Sequence, residues 1–442
     1  MQRIMSDYAY GDAPRVECFW GPPTVDPAQM APARGDQRVE VAVVGAGFTG
    51  LNAGLALAES GKSVAIFDAQ SPGWGASARN GGFCCLGGTK LPFAAIRRLT
   101  GEDGLRDWCA TEMAAVDHVR DLLKRHAIDA QTHSHGETIM AHNARSMAGL
   151  RRDQAEVDAA YGFATQLIEA EELPQHGMRG PFHGAMTLPH GFALNPRAYV
   201  DGLTTATLAA GAKIHAGSAI QSVKRNGGIF TLKTNQATIR ADQVVFATNG
   251  YSSEDVPDWM RARFMPLQSS IIVTRPLSDE EIATGWSSAQ MAYTDQVLLH
   301  YFRLLPDRRF LFGMRGGFRA TPASDKQLRK RIRRQFEGAF PFWSHVETEH
   351  SWNGMLAFSS KLAPYVGPVP ELPGAFTGFA YHGNGVAMGS YAGRLLADFV
   401  LQDAPDRPYP ALMRSVPKRF PLGRHRRWLM APGYAWAALT GG

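Results

Sequence analysis

The stretch VVGAGFTGLNAG, Val43 to Gly54, constrains this chain more than any other. Gly45, Gly47 and Gly50 have the spacing G-x-G-x-x-G, a weak signal alone that gains force only from its flanks. Before it, RVEVAVV (38–44) is a short β-branched run suited to a buried parallel strand. After it, Leu51, Leu55 and Ala58 recur at helical spacing, Gly54 permits close packing on a sheet, and Gly61 can end the helix in the left-handed conformation. KSVAIFD (62–68) predicts a second strand ending in an acid, Asp68, about 20 residues past the glycines, where a carboxylate meets a ribose hydroxyl pair. Strand, turn, helix, strand and acid together describe a dinucleotide site. The glycines let the backbone approach a pyrophosphate, and the helix N-terminus favours its negative charge. An acid at 68 would repel the 2′-phosphate of NADP.

A second glycine-rich loop, SPGWGASARNGGFCCLGG (71–88), follows at once. An NAD enzyme has no obvious use for it. FAD lies extended and needs a backbone-rich seat along its ribityl chain and ring. Ser77 can donate to a phosphate oxygen and Arg79 can offset its charge. A third cluster, FAYHGNGVAMGSYAGRLLADFV (379–400), runs into a helix whose N-terminus can face the flavin pyrimidine edge. Between them, residues 211–251 alternate like strands joined by a turn at Asn226-Gly227-Gly228 and close on the buried strand QVVFATNGY.

These clusters, in this order, resemble the D-amino-acid-oxidase-like flavoenzyme superfamily, and within it the γ-glutamylputrescine oxidases. VVGAGFTGL (43–51), GWGASARNGG (73–82), LNPRAYVDGL (194–203), ADQVVFATNGY (241–251), YFRLLPDRRFLFG (301–313) and HGNGVAMGSYAGRLLAD (382–398) carry the likeness. The resemblance implies an α/β fold: a glycine-rich, Rossmann-like FAD-binding domain with an inserted substrate domain of antiparallel sheet. The implied layout is an N-terminal arm (1–36), an FAD domain in three pieces (37–98, 194–262 and 352–403), a substrate domain in two (99–193 and 263–351), and a basic, aromatic tail (404–442). Non-covalent FAD would be held at its AMP half by Gly45, Gly47, Phe48, Thr49, Gly50, Asp68 and Ala69, with Ile220 meeting adenine and Thr248 and Gly250 alongside. Gly75, Ala76, Ser77, Arg79, Asn80, Gly81 and Gly82 would follow the pyrophosphate and flavin. Gly383, Asn384, Gly385, Val386 and Ala387 would meet the far edge of the ring.

The implied reaction is oxidation of an amine at its C–N bond. Hydride passes from the α-carbon to flavin N5, water hydrolyses the imine, and molecular oxygen becomes hydrogen peroxide. Such chemistry requires no base, so the catalytic candidates are assigned modest roles. His382 can touch the site or cap a helix. His300 and Arg303 lie on a predicted substrate-domain strand, where Arg303 can bind a carboxylate or form an ordinary ion pair. Lys361 can present positive charge to oxygen or sit at the surface. Three departures from the relatives fall on the substrate side: Phe83 after RNGG, the histidine displaced to 382, and Lys361. Cys84 and Cys85 read as small buried apolar side chains rather than a flavin thioether.

Composition limits the alternatives. Four cysteines (18, 84, 85 and 109) show no metal spacing, so no metal is expected. No apolar run reaches the roughly 18 residues of a membrane span, and the first residues lack a signal-like apolar segment, which points to the cytoplasm. Net charge +6 sits largely in KQLRKRIRRQ (326–335), spaced like a solvated helix face, and KRFPLGRHRRW (418–428). Neither is interleaved with a nucleic-acid motif, so no nucleic acid is expected. LMAPGYAWAAL after the second run leaves a membrane or subunit contact open, and with it a dehydrogenase that passes electrons to quinone. A tRNA-modifying flavoprotein is the remaining rival.

Overall fold

The computed structural model of the chain describes residues 1–430, except 297, 318, 403 and 404. The first strand, Gly35–Val44, is buried through its C-terminal half and pairs in parallel with Val64–Phe67 on one side and Ala237–Phe246 on the other. Lys213–His215 and Ala375–Phe379 extend this sheet in parallel, and Tyr365–Pro368 closes one edge antiparallel. The hairpin Ser222–Asn226/Ile229–Lys233 hangs from Ala237–Phe246. It turns at Gly227 and Gly228, whose φ of 56° and 88° need the missing Cβ. One face is covered by the helices Phe48–Glu59, Pro196–Ala209 and Ala387–Leu401, whose Leu51, Leu55, Leu203, Leu395 and Leu396 share one core.

A second sheet of eight strands is mostly antiparallel. Its order is Thr348–Phe358, Met265–Thr274, Phe310–Arg315, His300–Leu304, Met291–Thr294, Glu137–Met140, Gly184–Leu188 and Gln166–Glu169. Its outer face packs an aromatic core of Trp286, Phe302, Phe310, Phe312, Phe336, Phe340 and Trp343 against the helix Pro322–Ala339. That helix carries the first basic run, and Leu328, Ile332 and Phe336 face inward as the solvated-face reading requires.

Two boundaries differ from the sequence expectation. Thr348–Phe358 is one strand paired with Met265–Thr274, so the second sheet continues past residue 352. The long helix Phe93–Arg125, interrupted at Gly101, packs Trp108, Val116 and Val119 into the nucleotide-side core, so its residues beyond 99 belong with that layer. An apolar stripe on a helix says that it packs, not against which sheet. The described tail folds back on the body: Leu412 and Met413 are buried, and Arg426 is fully buried against Glu254 at 2.7 Å. The apolar end of the proposed membrane contact, residues 431–442, lies outside the described residues. Among the described residues no helix is long and apolar enough to cross a membrane, and no cluster could hold a metal ion.

Candidate functional site

Strands of the first sheet end at Val44, Phe67 and Phe246, where a nucleotide crevice forms in such sheets. A cavity of about 460 Å³ begins there and runs to the inner face of the second sheet. At its nucleotide end Asp68 accepts the Ala46 N–H at 2.7 Å and the Gln70 N–H at 2.9 Å. Burial lifts its pKa to about 6, which leaves it mainly ionised at neutral pH. The bonds fix both carboxylate oxygens beside Ala69 and Ile220, which also line the cavity. Gly50 lies outside the cavity and acts through packing: a Cβ there would collide with the carbonyl oxygen of Gly45. Gly45, Gly47, Phe48 and Thr49 do line it, as do Thr248 and Gly250 across the crevice.

The second loop is held by its own side chains. Ser77 Oγ accepts the Phe48 N–H at 3.0 Å, which leaves its hydroxyl proton free at the helix N-terminus. Asn80 donates to the carbonyls of Ala76 and Ser77 and accepts the Gly82 N–H, so its polar atoms are spent inside the loop. Arg79 is corrected. Its donors go to the carbonyls of Trp74, Gly75 and Asn353, and its guanidinium lies between the rings of Trp74 and Tyr251. It staples the loop to the second sheet with three of its five N–H groups. Gly75, Ala76 and Gly81 line the cavity; Gly82 does not, and is backed by the Leu194 carbonyl.

At the far end the helix Ala387–Leu401 points its N-terminus at the cavity, with Gly383, Asn384, Gly385 and Val386 in the lining and Ala387 behind them. Asn384 donates to the carbonyls of Cys85 and Leu86, while its buried Oδ1 has no partner. A buried acceptor without a donor on a cavity wall is costly unless a ligand N–H meets it. That acceptor, the Ser77 hydroxyl and the Asp68 carboxylate, spaced along one cavity, fit an extended flavin dinucleotide.

Beyond this edge stand residues that the sequence reading did not single out. Tyr301, Tyr293 and Phe83 form a wall, with Tyr301 hydrogen-bonded to Ser269 at 2.9 Å and packed over Gly81. Arg315 lies against Gly383, and burial lowers its pKa. No carboxylate among the described residues pairs with it. Glu137 is 1% exposed; its Oε1 accepts the Leu86 N–H at 3.2 Å, and its Oε2 has no hydrogen-bond partner. Burial lifts its pKa to about 8. The available signal was a charged residue inside an otherwise apolar strand, Glu137 in ETIM and Arg315 in FLFGMR.

The four catalytic candidates are all revised. His382 borders the cavity, but Nδ1–H donates to the Gly88 carbonyl at 3.0 Å and Nε2 accepts the Ser359 N–H at 3.3 Å. Burial holds its pKa down to about 3, so it is a neutral brace without a proton or lone pair for a substrate. His300 faces the outer core against Phe312, because strand alternation gives the cavity side to its neighbour Tyr301. Arg303 is fully buried and binds no substrate. It donates to the Leu194 carbonyl at 2.7 Å and to His133 Nε2 at 2.9 Å, locking the flavin loop to the second sheet. Lys361 points away, donating to the carbonyls of Leu412 and Ser415 at 2.6 Å, and so presents no charge to the cavity.

The sequence profile of the family described as FAD dependent oxidoreductase (DAO) matches residues 40–399. The chain is 27% identical over 379 residues to a probable oxidoreductase, OrdL, of Haemophilus influenzae, covering 85% of this chain and 86% of that protein. It is 26% identical over 389 residues to the γ-glutamylputrescine oxidoreductase of Escherichia coli, covering 88% and 89%. Among solved structures, glycine oxidase from Geobacillus kaustophilus shares the fold at a TM-score of 0.69 and 20% identity, covering 84% of this chain and 96% of that one.

Proposed function

Starting from the FAD-dependent oxidoreductase (DAO) family, to which this chain belongs, we propose that it oxidises an amine that also carries an anionic group, using oxygen as the final acceptor. The protein is an FAD-dependent oxidoreductase acting on CH–NH or CH–NH2 groups. The observation that carries the finer reading is Arg315, a cation beside the flavin-edge glycine Gly383 with no carboxylate partner among the described residues. A planar guanidinium in that position suits a carboxylate, held through two parallel N–H donors. A γ-glutamyl amine or an amino acid supplies one.

When bound, FAD supplies the two-electron acceptor for the carbon next to the nitrogen. Asp68, Ser77 and Asn384 would hold its ribose, phosphate and ring edge. Arg315 anchors the substrate's acidic end, while Tyr293, Tyr301 and Phe83 wall the cavity and exclude water. His382 moves no proton; it fixes Gly88 and Ser359 around the ring edge. The Cys85 thiol borders the cavity, but burial raises its pKa well above the usual value, which keeps it a thiol and supports non-covalent FAD.

The test is anaerobic bleaching of the bound flavin by paired amines with and without a carboxylate, followed by air. The acidic member of each pair should bleach at lower concentration, and air should restore the yellow colour with formation of peroxide. Reduction by a 2-hydroxy acid while every amine fails would refute the amine assignment. Reoxidation by a soluble quinone but not by air would replace oxygen as acceptor.

A further inference from the structure

The N-terminal arm does more than precede the first strand. Its backbone is tied to the nucleotide half where Glu254 N–H donates to the Gln2 carbonyl at 2.7 Å and Gln2 N–H donates to Asp255 at 2.8 Å. Tyr8 then donates to Asp325 of the helix Pro322–Ala339 at 3.0 Å, and Ser6 donates to Ala320. Trp74 of the flavin loop donates to Asp12 at 3.0 Å, and Trp20 donates to the Asn80 carbonyl at 2.8 Å. Thr24 ends the crossing on Asp201 at 2.9 Å. The arm therefore straps both sheets and the flavin loop together across the cavity.

Where it crosses, the arm contributes Met1, Arg3 and Tyr10 to the cavity lining. The Arg3 guanidinium lies over the Tyr10 ring at 4.2 Å, and Tyr10 meets Tyr251 edge-on, which in turn packs on Gly75. Arginine side chains lining the cavity are Arg3, Arg79 and Arg315; Lys90 adds an ammonium, and Met1 another, whose charge is paired with Asp255 at 3.6 Å. Arg79 spends three of its five N–H donors on backbone carbonyls and is held between the rings of Trp74 and Tyr251. Arg315 and Lys90 belong to the substrate end, beside Gly383 and Gly88. A pyrophosphate brings two negative charges, and the loop that approaches it offers only backbone and one serine. We propose that Arg3, aimed by its stacking on Tyr10, is the cation that binds the FAD pyrophosphate, and that the arm is the clasp that retains the dinucleotide.

The proposal rests on FAD occupying this cavity but not on which amine is oxidised, and binding alone tests it. Release of FAD from the holoenzyme is followed by the rise of free-flavin fluorescence on dilution, and its dissociation constant is measured by reconstitution. Arg3→Gln should weaken FAD by about tenfold, the low end for a charge-assisted hydrogen bond at a rim position. Arg3→Lys should recover part of that loss. Because the contact is ionic, the gap between wild type and Arg3→Gln should narrow in high salt. Riboflavin, which lacks phosphate, should bind wild type and Arg3→Gln alike. Tyr10→Leu, which removes the ring that aims the guanidinium, should mimic Arg3→Gln. Arg3 is at the surface, so its substitution leaves the fold intact, and an unchanged thermal midpoint of the apoprotein checks this. Unchanged FAD release in Arg3→Gln would overturn the proposal, as would an equal loss of riboflavin affinity, which would place the contact on the ring. Failure of every variant and wild type to bind FAD at all would instead overturn the functional reading on which the site depends.

Discussion

Replacing Glu137 by glutamine should stabilise the protein at alkaline pH while leaving it unchanged in acid. The carboxyl is 1% exposed, with one backbone donor at 3.2 Å and the Cys85 thiol as a further polar neighbour. Burial disfavours the charged form and moves its pKa from 4.5 to about 8. A folded-state value above the unfolded one means that the native protein holds this proton more tightly. The stability it contributes is complete below about pH 4.5 and is lost as the pH rises through about 8. At about 1.4 kcal/mol per pH unit, the wild-type protein forfeits roughly 3–5 kcal/mol between those limits. Glutamine keeps the shape and the carbonyl acceptor for Leu86 N–H but cannot ionise. Urea denaturation at pH 5, 7 and 9 should give superimposable curves for the two proteins in acid and a diverging, more stable Glu137→Gln in base. Parallel behaviour across the whole range would show that Glu137 titrates normally and that this end of the cavity is not desolvated.

Other expectations separate the side chains that meet a ligand from those that support them. Arg315→Ala should lower kcat/KM for acidic amines by about 10- to 100-fold, the cost of one charged hydrogen-bonded contact, and change neutral amines little. Arg303→Met should lower the thermal midpoint and weaken FAD retention, yet leave the preference for acidic over neutral amines as in wild type, since Arg303 does not border the cavity. Gly50→Ala should give little or no FAD-bound protein, because its Cβ would drive the first helix off Gly45; a yellow, stable variant would contradict the close approach. The reductive rate should rise from about pH 7 towards 9, since the neutral amine is the reactive form and no histidine here serves as base.

The nucleotide half was legible in the sequence because its constraints are local. Gly45, Gly50 and Gly61 are dictated by backbone geometry within one strand–helix–strand unit, and Asp68 ends the next strand by simple succession. Ser77 was legible because it comes from the adjoining loop. The substrate half depends on which face of a strand meets the cavity, and that parity is fixed by distant pairing. His300 and Tyr301 are equally plausible from HYFRL; only pairing with Phe310–Arg315 turns Tyr301 inward. Arg79 and Arg303 are a second kind of miss. Arg79 sits among glycines, and Arg303 follows two aromatics, where a ligand contact was expected. Arg79 instead bonds backbone carbonyls that the irregular loop leaves without partners, and Arg303 bonds the Leu194 carbonyl and His133. The arm was opaque for a further reason: its contacts reach residues far along the chain, His350 and Trp352 among them, and no periodicity announces them.

One physical effect unifies the substrate end. Burial lifts the carboxyl of Glu137 to about 8, holds His382 at about 3, and lowers Arg315. A cavity that suppresses charge on its own side chains acts the same way on what enters it. A bound ammonium loses water and, while Glu137 stays protonated, gains no anion in return, so its proton leaves more readily than in solution. The carboxylate of the same molecule suffers the same desolvation but finds Arg315, whose charge survives because a guanidinium starts far above neutrality. The site can thus keep one charge of a zwitterionic amine and strip the other, which gives the neutral nitrogen that C–H cleavage requires without a dedicated base.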